Sequence, residues 1–189
     1  MELKAYETGG IIKKEEEDVM DKSNTLKWMV LTAMMSALIT VVTMMIKIPS
    51  ATGGYLNLGD FVIMISVAVL PFPYALFAAG IGSAGADLMA GYAVYAPFTL
   101  CIKAGEVVIL YLFRNHLESS RRWIPFGLAG LWMMVMYGFV AVWLAQSWAA
   151  MLIALKGDVF QGLLAAVLAT LYYPRMVKLV SSLNPKKTP

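Results

Sequence analysis

Residues 28–46 read WMVLTAMMSALITVVTMMI, and this stretch decides the fold class. It runs from Trp28 to Ile46 without a charged side chain. At ~1.5 Å of rise per residue, a helix of this length matches the ~30 Å hydrocarbon core of a bilayer. The residues before it, 1–26, are polar and of mixed charge, with the run Lys13-Lys14-Glu15-Glu16-Glu17-Asp18. That composition predicts a solvated tail or a short surface helix. A secretory leader has a basic region directly before a short apolar core and a small-residue cleavage site. Neither pattern is present, so the first span is expected to be retained.

Working outward, Pro and Gly punctuate further apolar runs. A loop follows through Gly53 and Gly54 to Asn57. A short second span, Leu58–Leu70, stops at Pro71-Phe72-Pro73. The third, Tyr74–Ala90, is rich in small residues, and the loop Gly91–Pro97 carries Tyr92 and Tyr95. The fourth is Phe98–Phe113, then a charged loop Arg114–Arg122, then a fifth span Ile124–Leu144. A less apolar stretch to Gly157 precedes the sixth span, Asp158–Tyr173, which Pro174 ends. The expected fold is an all-α membrane protein with six transmembrane helices. Its parts would be a polar tail (1–26), a membrane domain (27–175) and a second tail (176–189). Composition agrees: of 189 residues, 60% are hydrophobic and 14% charged, with mean hydropathy +0.70, against ~25% charged in soluble domains.

The Lys and Arg residues predict orientation. With six spans, Lys4, Lys13, Lys14, Lys22, Lys27, Arg114, Arg121, Arg122, Arg175, Lys178, Lys186 and Lys187 fall on the side of both termini. The other side has Lys47 and Lys156, and Lys103 lies within span four. Both termini are therefore expected to be cytoplasmic, in a multi-pass membrane protein. The net charge of +3 is small and belongs to this asymmetry, which argues against nucleic-acid binding.

Ionisable side chains within spans are costly and mark function by default. Asp60, Asp87, Lys103, Glu106 and Asp158 all fall in the outer half, with Asn57, Tyr92, Tyr95 and Gln161 in the same layer. Lys103 and Glu106 share one helix face at i,i+3. Asp60 and Asp158 also suit a capping role at helix starts. The layer predicts an outward pocket for a small polar ligand, with Tyr55, Tyr92 and Tyr95 placed to stack on a flat ring. A pump or channel needs polar groups at several depths, and the inner half has none comparable.

Other patterns carry less. Gly80-Ile81-Gly82-Ser83-Ala84-Gly85 matches G-x-G-x-x-G literally, but a dinucleotide fingerprint needs a preceding strand. Here close helix packing is expected, through pairs such as Ala79/Ser83 and Gly82/Ala86. His116 and Cys101 have no metal-ligand spacing, so no metal and no cofactor are expected. No nucleophile–base set and no G-x-x-x-x-G-K-[ST] motif occurs, so neither catalysis nor ATP hydrolysis is expected of this chain. Ala33 and Ala37 form a small-residue stripe on span one, suited either to internal packing or to docking a partner.

Taken together, Gly53-Gly54-Tyr55-Leu56-Asn57-Leu58-Gly59-Asp60, Ala86-Asp87-Leu88, Gly91-Tyr92, Tyr95-Ala96-Pro97-Phe98-Thr99-Leu100 and Lys103 resemble the S components of energy-coupling factor (ECF) vitamin transporters. The likeness covers about residues 27–175, and Ala33/Ala37 fit the family's alanine motif. One departure is Pro71-Phe72-Pro73, where many members have a Gly-Pro turn. The resemblance implies a substrate-binding subunit that takes a vitamin near the outer surface, docks a transmembrane coupling (T) protein through the alanine stripe, and relies on two cytoplasmic ATPases. It implies that Asn57, Asp60, Asp87, Tyr92, Tyr95, Lys103, Glu106, Asp158 and Gln161 hold the ligand. The quoted segments look most like members assigned to pyridoxine or hydroxymethylpyrimidine, while some relatives carry a riboflavin label. The residues by themselves leave open a stand-alone secondary transporter using Asp87, Lys103 and Glu106 as a proton relay, or a membrane enzyme.

Overall fold

The computed structural model describes residues 22–45 and 57–183 fully, and the backbone alone for 2–21, 48–49 and 55–56. Gly53, Gly54, Lys47, Lys186, Lys187 and the side chain of Tyr55 lie outside the described residues. Helices α1 (Glu2–Met45), α2 (Gly59–Ser66), α3 (Phe72–Met89), α4 (Ala96–Leu112), α5 (Arg114–Leu117), α6 (Trp123–Ala145) and α7 (Ala149–Leu183) follow in order, with strands β1 (Ile48–Pro49) and β2 (Tyr55–Leu56) between α1 and α2. The strands pair antiparallel, Ile48 opposite Leu56 and Pro49 opposite Tyr55.

Each expected span has a helical counterpart, but the elements are unequal. Among the described residues, three helical segments are long and apolar enough to cross a membrane: Lys22–Met45, Trp123–Ala145 and Ala149–Leu183. α3 has 18 residues, but its glycines, Ser83 and Asp87 dilute its apolarity. α4 has 17 residues, and α2 only 8, about 12 Å of helix. The turn Val67–Leu70 completes α2, with Leu70 N–H donating to Ser66 O (2.9 Å). α3 then opens with Pro71 as N-cap and Pro73 in its first turn, where a missing N–H costs nothing.

Three boundaries differ from expectation. α1 begins at Glu2, so span one is the last part of a longer helix; Glu and Lys are good helix formers. α7 begins at Ala149 rather than Asp158, because Ala149–Lys156 is itself composed of strong helix formers. Asp158 thus sits inside a helix and is no N-terminal cap. At its other end α7 runs through Pro174 to Leu183 instead of stopping there, because Arg175, Met176, Lys178 and Leu179 beyond the proline are strong helix formers.

α6 packs along α7, α3 along α4 and α1 along α3. Ile39, Val62, Ile63, Ala75, Ala78, Ala79 and Val107 join α1 to α4 in one apolar cluster. Met64, Leu110, Phe126, Ala129, Ala165, Ala169 and Tyr173 form another, linking α2, α4, α6 and α7. The short α2 is the common member. Outward, Met34, Leu131, Phe139, Leu152, Leu163, Val167 and Leu171 are exposed, the apolar exterior a bilayer would cover. The G-x-G-x-x-G segment lies within α3 and is a packing device. A Cβ on Gly82 would stand 2.7 Å from Ser36 O and 3.0 Å from Ile39 Cβ, and Thr40 Oγ1 donates to Gly82 O at 2.7 Å.

Candidate functional site: a buried ionic layer at one end of the bundle

The site starts from the entry to α2. Asn57 Oδ1 accepts the Gly59 N–H (2.7 Å), an Asx turn that sets the chain into helix. Gly59 leaves no room for a side chain: a Cβ would meet Thr43 Oγ1 at 2.1 Å. This close approach to α1 buries the first turn of α2 and with it Asp60, which is 0% exposed.

Lys103 projects from α4 to meet Asp60. Its Nζ donates to Asp60 Oδ1 and to Glu106 Oε1 at 2.8 Å. Lys103 is 3% exposed and Glu106 0%, so the ion pairs are dry. α7 contributes Gln161, whose Nε2 donates to Asp60 Oδ2 (2.7 Å). Its Oε1 accepts the Asn57 N–H (2.7 Å). One amide thereby ties α7 to both the loop and the acid of α2. Burial of Asp60 and its bond to Lys103 decide between the two readings of this residue: it is a member of the cluster.

α6 supplies a residue that the sequence pattern does not single out. Lys103 Nζ stands 5.3 Å from the ring centroid of Tyr137, and the Tyr137 hydroxyl is 2.9 Å from Thr99 Oγ1. Trp132 Nε1 donates to Ile102 O (3.0 Å), which locks α6 against α4 beside Lys103. The available signal for Tyr137 is a lone hydroxyl in an otherwise apolar helix.

Asp87 at the end of α3 is buried, beside the loop that carries Tyr92, whose N–H donates to Asp87 O (2.8 Å). Asp158 is half-buried and acts electrostatically on Tyr95. Tyr92 and Tyr95 meet edge-to-face with centroids 6.4 Å apart. Burial, then Asp158, push the Tyr95 phenol above its ordinary value, so it is a neutral hydroxyl at pH 7. The structure thus brings Asn57, Asp60, Lys103, Glu106 and Gln161 into one network, with Asp87, Tyr92, Tyr95 and Asp158 around it.

Chemically, two carboxylates share one ammonium. Glu106 Oε2 and Thr43 Oγ1 are buried with no hydrogen-bond partner among the described residues. The Glu106 oxygen is a buried acceptor without a donor, which is costly, whereas the Thr43 hydroxyl can itself donate. Among the described residues no cluster of three His, Cys, Asp or Glu is arranged for a metal. Ala33 and Ala37 lie elsewhere, exposed on α1, which removes them from internal packing.

Residues 23–178 match the family model for the ECF-type riboflavin transporter, S component. The chain belongs to this family. S components are membrane-embedded, substrate-binding subunits of transporters, not enzymes, and they generally work with a T protein and ATPases. The chain is also similar to an uncharacterized protein in the gap 3′ region of Pyrococcus woesei, 44% identical over 106 residues, which span 55% of this chain and 70% of that protein.

Proposed function

We propose that this S component captures a small, water-soluble vitamin or vitamin precursor built on a nitrogen heterocycle, at the outer face of a prokaryotic plasma membrane. The observation that carries this reading is the buried Lys103–Asp60–Glu106–Gln161 network, drawn from three helices and placed beside the Tyr92–Tyr95 loop. A charged network this dry is expensive in a membrane protein, and a ligand-binding role accounts for its place at one end of the bundle. Ring or exocyclic N–H groups fit the carboxylate oxygens, Lys103 fits a hydroxyl or carbonyl of the ligand, and the tyrosines suit a flat ring.

Six membrane passes are read from the apolar segments, and the Lys/Arg distribution supports cytoplasmic termini, an orientation that sets the network outward. The exposed Ala33 and Ala37 are the docking stripe for the T protein, and two cytoplasmic ATPases drive release. Riboflavin is favoured by the family's description, while pyridoxine and hydroxymethylpyrimidine are favoured by the segments around Asp60 and Lys103. The test is to extract and identify any bound small molecule by mass spectrometry. Calorimetric titration with these three compounds, thiamine and pantothenate follows. One tight one-to-one ligand is expected; binding of none contradicts the reading.

A further inference from the structure

A second cavity, ≈ 520 Å³, opens at the other end of the bundle, beneath the Val67–Leu70 turn where α2 runs out. Its walls include Val67, Leu70, Phe72, Tyr111 and Val177, and its polar rim Arg114, Glu118 and Ser181. The Tyr111 hydroxyl donates to Leu70 O, which fixes the turn that forms the roof. Two cations stand on aromatic rings of this cavity. Lys27 Nζ is 5.6 Å from the Trp28 ring, and the Arg114 guanidinium is 6.0 Å from the Tyr111 ring. Among the described residues neither is in an ion pair. Arg114 and Glu118 are four apart yet unpaired, so both charges remain available.

We propose that this cavity binds a phosphate-bearing membrane lipid: the phosphate on Arg114 and Lys27, headgroup hydroxyls on Glu118 and Ser181, and the acyl body along the Val and aromatic walls. The apolar walls select a lipid over a soluble anion. The cavity's end of the bundle also carries Arg121, Arg122, Arg175 and Lys178, the kind of basic setting in which pockets between helices take anionic headgroups. The site is separate from the ionic layer and does not depend on what that layer binds.

The test is native mass spectrometry of the full-length, delipidated protein titrated with phosphatidylglycerol or phosphatidylcholine in mixed micelles. One phosphatidylglycerol per chain is expected, held more tightly than phosphatidylcholine. Lys27→Gln and Arg114→Gln should each weaken it about fivefold, at ~1 kcal/mol per cation. Arg121→Gln changes the same charge on an exposed residue outside the cavity and should leave retention unchanged. Equal retention of the two lipids, or an Arg121→Gln loss as large as that of Arg114→Gln, overturns the proposal. Displacement of the lipid by millimolar inorganic phosphate would assign the cavity to a soluble phosphate compound and also overturn it.

Discussion

Lys103 on α4 and Asp60 in the first turn of α2 form a buried ion pair across 43 residues of chain. The pair lies where α2, α4 and α7 converge, so it fixes the short α2 within the bundle.

The stability of this pair is open to a double-mutant cycle. Breaking a buried pair by removing one partner costs about 3–5 kcal/mol, while removing both is far milder. Asp60→Asn and Lys103→Met should each lower thermal stability in detergent markedly. The double variant should lose less than the sum of the two, because Lys103→Met alone strands two carboxylates and the double variant strands only Glu106. Additive losses would show that the two side chains act independently.

Tyr137 separates ring from hydroxyl. Tyr137→Phe keeps the ring beneath Lys103 and loses the Thr99 bond, worth about 0.5–1.5 kcal/mol. Tyr137→Leu also removes the cation–π contact, worth about 2 kcal/mol when desolvated. Thermal unfolding should rank the wild type above Phe and Phe above Leu. Equal stability of Phe and Leu would remove the ring contact from the account.

Much of the site is legible in the sequence, for identifiable reasons. A charge inside an apolar helix is costly, so Asp60, Lys103 and Glu106 stand out from the residue pattern alone, and the i,i+3 spacing anticipates the Lys103–Glu106 contact. Tyr137 is hidden because a neutral aromatic among Met, Val and Phe looks like packing. The start of α7 is hidden because Lys156 and Asp158 dilute hydropathy without disfavouring helix. Gln161 falls in the right layer, but its two-sided role depends on the Asn57 backbone, which no pattern in the sequence specifies.

Two glycines give opposite expectations. Gly82→Ala places a Cβ 2.7 Å from the Ser36 carbonyl and should cost about 1–3 kcal/mol through separation of α1 from α3. Gly127 has nothing within 4 Å of its added Cβ. Gly127→Ala should be neutral or stabilising by up to ~1 kcal/mol through helix propensity. Thermal melts of the two variants check the contrast; a Gly82→Ala protein as stable as wild type would contradict the packing described.

Ala33 and Ala37 are exposed, so bulk there should be tolerated by the isolated subunit. Ala33→Trp and Ala37→Trp are expected to retain ligand binding in detergent and to impair uptake in cells that supply the T protein and ATPases. Normal uptake in both would move the docking face elsewhere.

The most direct measurement is calorimetric titration of the tight ligand against wild type and Lys103→Gln, with thermal unfolding of the variant confirming that it is folded. The account predicts a one-to-one complex whose affinity falls by about tenfold or more in the variant, the loss of a hydrogen bond to a charged group being about 1.5–3 kcal/mol. A folded Lys103→Gln protein that binds the ligand as tightly as wild type would contradict the assignment of the buried network as the binding site.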